Sequence, residues 1–317
     1  MRSEQASRTA EHMAFFRALE SARPARQRLF QDPFAIHFLR PALRRAVEIS
    51  RIPVLGSLIP WYADRRIPGA RTSGVARTCL IDELLRHALQ AGTRQIAILG
   101  AGFDCRGYRM PSIRNSILFE VDHPATQAVK LAKLRRLLPQ LPGHVRFVPL
   151  DFDGQSLSSA LGASGFDPRC PTAFLWEGVT NYLTAKGVDS VLRYVAGCAT
   201  GSLLIFTYVH RGALDGSGLF ADAAELLAEL KRLGEPWTFG LDPEGLSDYL
   251  RARGLELEQD FCAREYRARY YGPHGRQFKG YHFYQVAAAS VPPRSARKAF
   301  PEAGSRTGSN LHRRAGA

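Results

Sequence analysis

The chain has 317 residues, 45% of them hydrophobic, enough for one large α/β core with an added subdomain or for two modest domains. No run approaches the roughly 18 unbroken apolar residues of a membrane span, and the opening MRSEQASRTAEHM lacks the apolar stretch of a secretory leader, so a soluble, cytoplasmic protein without a membrane partner is expected. The net charge of +14 is terminal, because residues 1–77 hold 14 Lys+Arg against 6 Asp+Glu, residues 291–317 hold 6 against 1, and the middle holds 23 against 22; a basic nucleic-acid-binding body is thereby disfavoured, and only the termini are left for weak, salt-sensitive contacts with anions.

Residues from about 10 to 90 read as helices interrupted by proline. Ala10 to Leu19 and Phe34 to Ile49 carry apolar residues at helical spacing, while Pro33, Pro41, Pro53, Pro60 and Pro68 divide the run. A helical cap over residues 1–90 is expected. From Thr93 the pattern changes to short apolar runs, QIAILGAG, SILFEVD, VRFVPLDF, TAFLWEG and SLLIFTYV, separated by helical stretches such as Ala125 to Leu138 and Val188 to Cys198. Buried parallel strands alternating with crossover helices give that pattern, so residues 91–289 are expected to form a doubly wound α/β domain. Gly218 to Leu233 reads as one long helix and Gly245 to Arg253 as another, with final strands over Leu255 to Phe261 and Tyr281 to Ala287. Residues 290–317, rich in Pro, Ser, Gly and Arg, read as a disordered basic tail. The five cysteines, Cys79, Cys105, Cys170, Cys198 and Cys262, form no CxxC pair or Cys/His cluster, so neither a metal site nor a disulfide framework is indicated.

The chemistry concentrates where the first strands end. Gln95 to Leu99 runs into Gly100-Ala101-Gly102-Phe103-Asp104-Cys105-Arg106, and glycines at the carboxyl end of a first strand allow a sharp turn and close approach of a ligand. In a dinucleotide fingerprint the position of Cys105 would be Gly or Ala. Asp104 beside it repels a pyrophosphate and suits the ammonium of a methionine moiety. The second strand ends at Asp122, whose carboxylate can accept both ribose hydroxyls, as in nicotinamide enzymes and methyltransferases alike. The third ends in Asp151-Phe152, an acceptor for an adenine amino group beside a ring to pack on it. Each has a plainer reading. Asp122 can cap the helix opening at Pro124, Asp151 can be a turn residue, Glu120 can point away from the site or pair with an arginine, and His123 reads as structural.

Taken with others, these segments resemble the leucine carboxyl methyltransferase-like methyltransferases that use S-adenosylmethionine, in particular their bacterial branch of unassigned substrate. Phe30-Gln31-Asp32-Pro33-Phe34-Ala35 is similar to that branch's DP(F/Y)A signature, and Arg77-Thr78-Cys79-Leu80-Ile81-Asp82 to its RTxxID helix. ILGAGFDCRGYR, FEVDHP and VPLDF are similar to its cofactor motifs, and Trp176-Glu177-Gly178-Val179-Thr180-Asn181-Tyr182-Leu183 to its WEGVxxYL. The resemblance spans roughly residues 10 to 210 and is loose in the C-terminal third. It implies a class I, Rossmann-like, mostly parallel seven-stranded sheet with an N-terminal helical cap. It further implies that Arg77 pairs with the methionine carboxylate, that Gly100, Gly102 and Asp104 wall the cofactor site, that Asp122 binds the ribose, and that Asp151 and Phe152 contact the adenine. Glu177 would lie beside the methionine amino group or the substrate mouth, and Tyr182 would line the substrate side. Without the resemblance, Arg77 reads as a solvated arginine and Tyr182 as a packing aromatic.

The expected reaction is O-methylation of a carboxylate, or a hydroxyl, on a small molecule or peptide acid. An ionised carboxylate needs no general base; a hydroxyl does, and Glu177, His210 and His282 are then the candidates. Two other classes remain: an NAD(P)-dependent Rossmann oxidoreductase, which leaves Arg77 and Asp151 without roles, and a non-catalytic nucleic-acid-binding protein using its basic termini.

Overall fold

The computed structural model describes residues 8–52, 56–152, 154–220 and 223–293. Among these residues four α-helices precede the sheet: α1 (Arg8–Ala22), α2 (Pro41–Ile49), α3 (Leu58–Arg66) and α4 (Ala70–Gln90). Then follow β1 (Gln95–Leu99), α5 (Arg106–Arg109), β2 (Ile117–Asp122), α6 (Pro124–Leu137), β3 (Val145–Pro149), α7 (Leu157–Ala163), β4 (Thr172–Trp176), α8 (Ala185–Ala196) and β5 (Leu203–Val209). The chain closes with α9 (Ala223–Arg232), α10 (Leu246–Arg251), β6 (Glu256–Cys262), α11 (Ala263–Tyr271) and β7 (Tyr284–Ser290). The strands form one seven-stranded sheet in the order β3-β2-β1-β4-β5-β7-β6. The first five are mutually parallel, and β7 runs antiparallel to both β5 and β6. The doubly wound, mostly parallel sheet expected from the alternating runs is therefore present.

Side-chain alternation sorts the strand residues to two faces. Ala97, Leu99, Phe119, Val121, Phe174 and Trp176 join the core shared with Leu161 of α7, Val191 and Leu192 of α8, and Leu250 of α10. Ile96, Ile98, Leu118, Ala173 and Leu175 face the other way, onto Leu80, Leu84 and Leu85 of α4 and Tyr266 of α11. Thus α4, although it belongs to the helical segment before β1, is a covering layer of the sheet. The cluster around α1 is separate: Ala14, Phe15, Ala18 and Leu19 pack with Phe38 and with Phe103 and Cys105 of the loop after β1. This places α1 across the carboxyl edge of β1.

Several boundaries differ from the sequence expectation for identifiable reasons. The helical run from Phe34 breaks at Arg40, held extended by the following Pro41 (φ −65°, ψ 158°). The helix expected from Gly218 is described over Ala223–Arg232, and Gly218 itself, at φ +76°, is not part of it. The helix expected from Gly245 is a 3-10 turn over Pro243–Gly245 followed by α10. The first residues of the expected tail belong to the sheet: Ser290 is in β7, and Val291 is buried and exchanges backbone hydrogen bonds with Gly201 and Ser202. The remainder of that tail, residues 294–317, lies outside the described residues.

Candidate active site

The order of strands reverses between β1 and β4, since the chain leaves β1 toward β2 and β3 and returns to β4 on β1's other side. Ligands of open α/β sheets bind at such a switch point, outside the carboxyl ends of the strands. Here those ends carry the Gly100 loop after β1 and Glu177 after β4. Gly100 adopts φ +71°, and a Cβ on it would stand 2.4 Å from Val179 Cγ2, so the loop of β1 and that of β4 close against each other only with glycine at this position.

Four arginines and four carboxylates meet beneath this crevice. Arg77 of α4 donates from Nε to Glu177 Oε1 at 2.9 Å, and Arg106 of α5 donates from Nη1 to Glu177 Oε2 at 3.0 Å. Arg106 also bonds Asp104 through its backbone N–H (2.7 Å to Oδ1) and through Nη1 to Oδ2, and reaches Asp82 Oδ1 of α4 from Nε at 2.7 Å. Arg109 grips both oxygens of Asp82 at 2.6 and 2.8 Å and lies 3.7 Å from Asp32. Arg17 of α1 closes the chain, donating to Asp32 Oδ2 at 2.9 Å and to the Phe103 carbonyl. The eight formal charges cancel. Buried charges are tolerated only when paired and hydrogen-bonded, which accounts for their convergence: Asp32 comes from the DPFA segment, Arg77 and Asp82 from the RTxxID helix, Asp104 from the glycine loop, Arg106 and Arg109 from α5, and Glu177 from the residue after β4.

The surroundings set the proton affinities. Burial alone would raise the Glu177 carboxyl, but Arg106 and Arg77 outweigh it and hold the group below its ordinary value. Asp104 is likewise opposed by burial yet held at about 2, chiefly by Arg106. Asp122 moves the other way: burial raises it, countered by backbone N–H groups of His123 and Gly102. The buried Cys105 thiol is pushed up by desolvation and is inert.

Arg77, which reads from local sequence as solvated, is only 4% exposed and stacks 4.5 Å over the ring of Tyr284. Its Nη2 rests 3.3 Å from the Met13 sulfur of α1. Asp104 is not a bare carboxylate awaiting an ammonium; Arg106 already engages both its oxygens. Asp122 does not cap α6, because the Nδ1 of His123 accepts from Ala125 and performs that role. Instead Asp122 accepts from Gly102 N at 2.5 Å and His123 N at 2.7 Å, tying the second strand end to the glycine loop. Each carboxylate oxygen keeps a further lone pair for a hydroxyl. Glu120 pairs with Lys130 of α6 at 2.7 Å, both fully buried, not with an arginine. Asp151 is exposed in a turn in which its carbonyl accepts from Gln155, and Phe152 packs partly buried on the sheet core. Tyr182 closes a 3-10 turn after β4 and donates to Thr9 Oγ1 of α1 at 3.2 Å, while Thr9 donates in turn to Glu235. His210 caps the 3-10 turn Arg211–Ala213 by accepting from Gly212 at 3.0 Å, and His282 lies in the turn before β7. Sequence reasoning missed Arg17, Asp82, Arg106 and Arg109. The signal was there, in a charged side chain inside otherwise apolar helical spacing at Asp82 and three arginines within reach of an acidic loop.

The donor set fits an adenosyl amino acid. The Nη2 of Arg77 is met by a thioether, a weak acceptor, which a carboxylate would displace as the stronger partner. Asp122, Asp151 and Phe152 stand at consecutive strand ends, as a ribose and an adenine require.

A family model described as leucine carboxyl methyltransferase matches residues 10–196. A protein of Frankia alni named "Putative S-adenosyl-L-methionine-dependent methyltransferase" is 35% identical over 254 residues, covering 77% of this chain and 85% of that one. One of Mycolicibacterium gilvum with the same name is 34% identical over 259 residues, 79% of this chain and 74% of that one. Among solved structures, one described as a "putative methyltransferase" from Thermobifida fusca superposes with a TM-score of 0.57 at 17% identity, covering 92% of this chain and 97% of that one, a likeness of fold.

Proposed function

The chain belongs to the leucine carboxyl methyltransferase family, and from that premise we propose that it is an S-adenosylmethionine-dependent O-methyltransferase whose acceptor is the ionised carboxylate of a small molecule or peptide. When bound, the cofactor supplies a methyl group on a sulfonium that an acceptor oxygen can take in line. Arg77 would receive its carboxylate, Asp122 the ribose hydroxyls, and Asp151 with Phe152 the adenine, while Gly100 and Gly102 keep the loop low enough for close approach. Asp104 and Glu177 are fixed around Arg106, so that the wall of the site is a rigid, charge-balanced set of dipoles that need not reorganise when the cofactor binds.

The observation that carries the carboxylate reading is the state of two of the three candidate bases, Glu177 and His210. Glu177 is clamped between two arginines and held below its ordinary value, and a carboxylate so poised is a poor acceptor of a hydroxyl proton. His210 spends its Nδ1 lone pair on Gly212. An acceptor that arrives ionised needs neither of them, and the basic N-terminal segment favours its approach. In this reading Tyr182, tethered to Thr9, orients the acceptor and does not accept its proton; burial raises its phenol far above neutrality.

The test uses cofactor labelled on the methyl group and an acid-containing cell extract. The expected product releases its label as volatile methanol on mild alkaline treatment, as an ester does. A label that stays on the product through alkali, as in an ether or an N-methyl group, overturns the carboxylate assignment while leaving methyl transfer itself intact.

A further inference from the structure

Five of the eight large apolar side chains that are exposed among the described residues lie within 14 positions of one another: Ile49, Ile52, Leu58, Trp61 and Tyr62, at 42, 47, 53, 57 and 62% exposure. They belong to α2, α3 and the turn between, and α3 buries none of its nine residues. Burial is what ordinarily holds a helix carrying Leu58, Ile59, Trp61 and Tyr62 to a domain, so this face is built for a partner.

Its charge says which kind. Residues 40–66 contain six arginines, Arg40, Arg44, Arg45, Arg51, Arg65 and Arg66, against Glu48 and Asp64. Glu48 is taken by Arg44 at 3.2 Å and Asp64 by Arg71 at 2.6 Å, and Arg40 leans on Glu11 at 3.6 Å. Arg45, Arg51, Arg65 and Arg66 have no carboxylate partner among the described residues. Arg65 lies 5.6 Å over the Trp61 ring. Beside α2 opens a cavity of about 260 Å³ whose charged and titratable lining is Asp32, His37, Arg44, Glu48 and Arg51; Asp32 is neutralised by Arg17 and Glu48 by Arg44, which leaves Arg51, among the described residues, as its unpaired charge. The His37 ring is kept below its ordinary value first by burial, with Arg44 and Lys133 acting in the same direction.

We propose that the α2–α3 face docks on an anionic phospholipid bilayer, with Trp61, Tyr62, Leu58, Ile49 and Ile52 seated at the headgroup boundary and a lipid phosphate received at Arg51 in the cavity beside α2. Aromatic and aliphatic groups interleaved with arginines are the composition of an interfacial helix, in which Trp and Tyr take the boundary and arginine reaches the phosphates. A second copy of this face would bring four unpaired cations against four, which repel. A nucleic acid would engage the arginines but would leave three aliphatic side chains without a role. This is a peripheral contact; among the described residues no helix is long and apolar enough to cross a membrane.

The experiment is sedimentation of the full chain with vesicles of phosphatidylcholine alone or with added phosphatidylglycerol, at low and raised salt, with thermal unfolding of each variant as a check on its fold. Binding is expected only with phosphatidylglycerol and is expected to weaken with salt. Trp61→Ser with Tyr62→Ser should lower the partition coefficient at least tenfold, and Arg51→Gln, Arg65→Gln or Arg66→Gln about fivefold each, with unfolding midpoints unchanged. The proposal is overturned if folded variants bind as the wild type does, if binding disappears only on removal of residues 294–317, or if the paired aromatic substitution dissociates a dimer and vesicles are never bound.

Discussion

Arg106 is the residue on which the candidate site turns. It bonds Asp82, Asp104 and Glu177 at once, so three segments of the chain share one guanidinium, and its planar fork is the geometry that permits this. The proton linkage of its partners has a definite sign. Asp104 is depressed from 3.8 to about 2, so its contribution to stability is complete above pH 3.8 and is lost as pH falls toward 2, a difference of about 2 kcal/mol. Asp104→Asn is therefore expected to be less stable than the wild type at neutral pH, by about 3–5 kcal/mol for a broken buried pair. The gap should narrow by about 2 kcal/mol between pH 4 and pH 2. Urea unfolding at a series of pH values measures both, and a gap that stays constant through acid would show that Asp104 is not held by its arginine. The residue scale is also where the sequence was least legible. Asp122 was recognisable from its strand-end position, but its hold on Gly102 N was not. Arg77 looked solvated because the partner that buries it, Glu177, lies 100 positions away.

Among the elements, α1 covers the crevice. Ala10 lies where a Cβ on Gly102 would come within 3.3 Å, Met13 meets Arg77, Arg17 binds Phe103 and Asp32, and Thr9 links Tyr182 to Glu235. Any ligand entering from that side has to displace this helix. At its N-terminal end it is held toward residues 182 and 235 by the pair of hydrogen bonds at Thr9, with Glu11 bound separately to Arg40, and Thr9→Val removes the former. Backbone amides of residues 10–22 are then expected to exchange with solvent about tenfold faster, as the loss of one or two net hydrogen bonds implies, while those of β1 and β4 are unchanged. Equal acceleration in the strands would mean that α1 does not open on its own. Periodicity showed α1 to be a helix and placed it near the cap. It could not show where the helix lies, because that depends on contacts with residues 177, 182 and 235. The strands were the most legible part, since each buried run in the parallel sheet is nearly all apolar on both faces. At the segment after Gly218 the helical pattern was read one glycine too early, since Gly218 takes a left-handed conformation outside the helix.

For the molecule as a whole, the strand order fixes how the parts depend on one another. β7 is the last strand among the described residues yet an interior strand of the sheet, with β5 on one side and β6 on the other. Phe206 and Tyr208 of β5 and Leu255 ahead of β6 belong to a core that also needs Ala287 and Ala289. A chain ending at Phe283 leaves β5 with an unpaired edge and β6 with no neighbour at all. Such a truncation is expected to lose cooperative unfolding altogether, which circular dichroism during a thermal ramp would show; a sharp transition near that of the full chain would mean that the parallel half folds alone. The order β3-β2-β1-β4-β5 could be anticipated from alternating runs and short connections, whereas the insertion of β7 between β5 and β6 could not, since nothing in an apolar strand specifies which edge it will join. During synthesis the ribosome therefore releases residues 1–283 with the sheet still open, and the nascent protein carries an exposed β5 edge until its last strand leaves the exit tunnel. That interval is when the chain is most vulnerable to mispairing with a neighbour, and it makes the speed of synthesis through β7, together with chaperone supply, a determinant of how much folded protein a cell obtains.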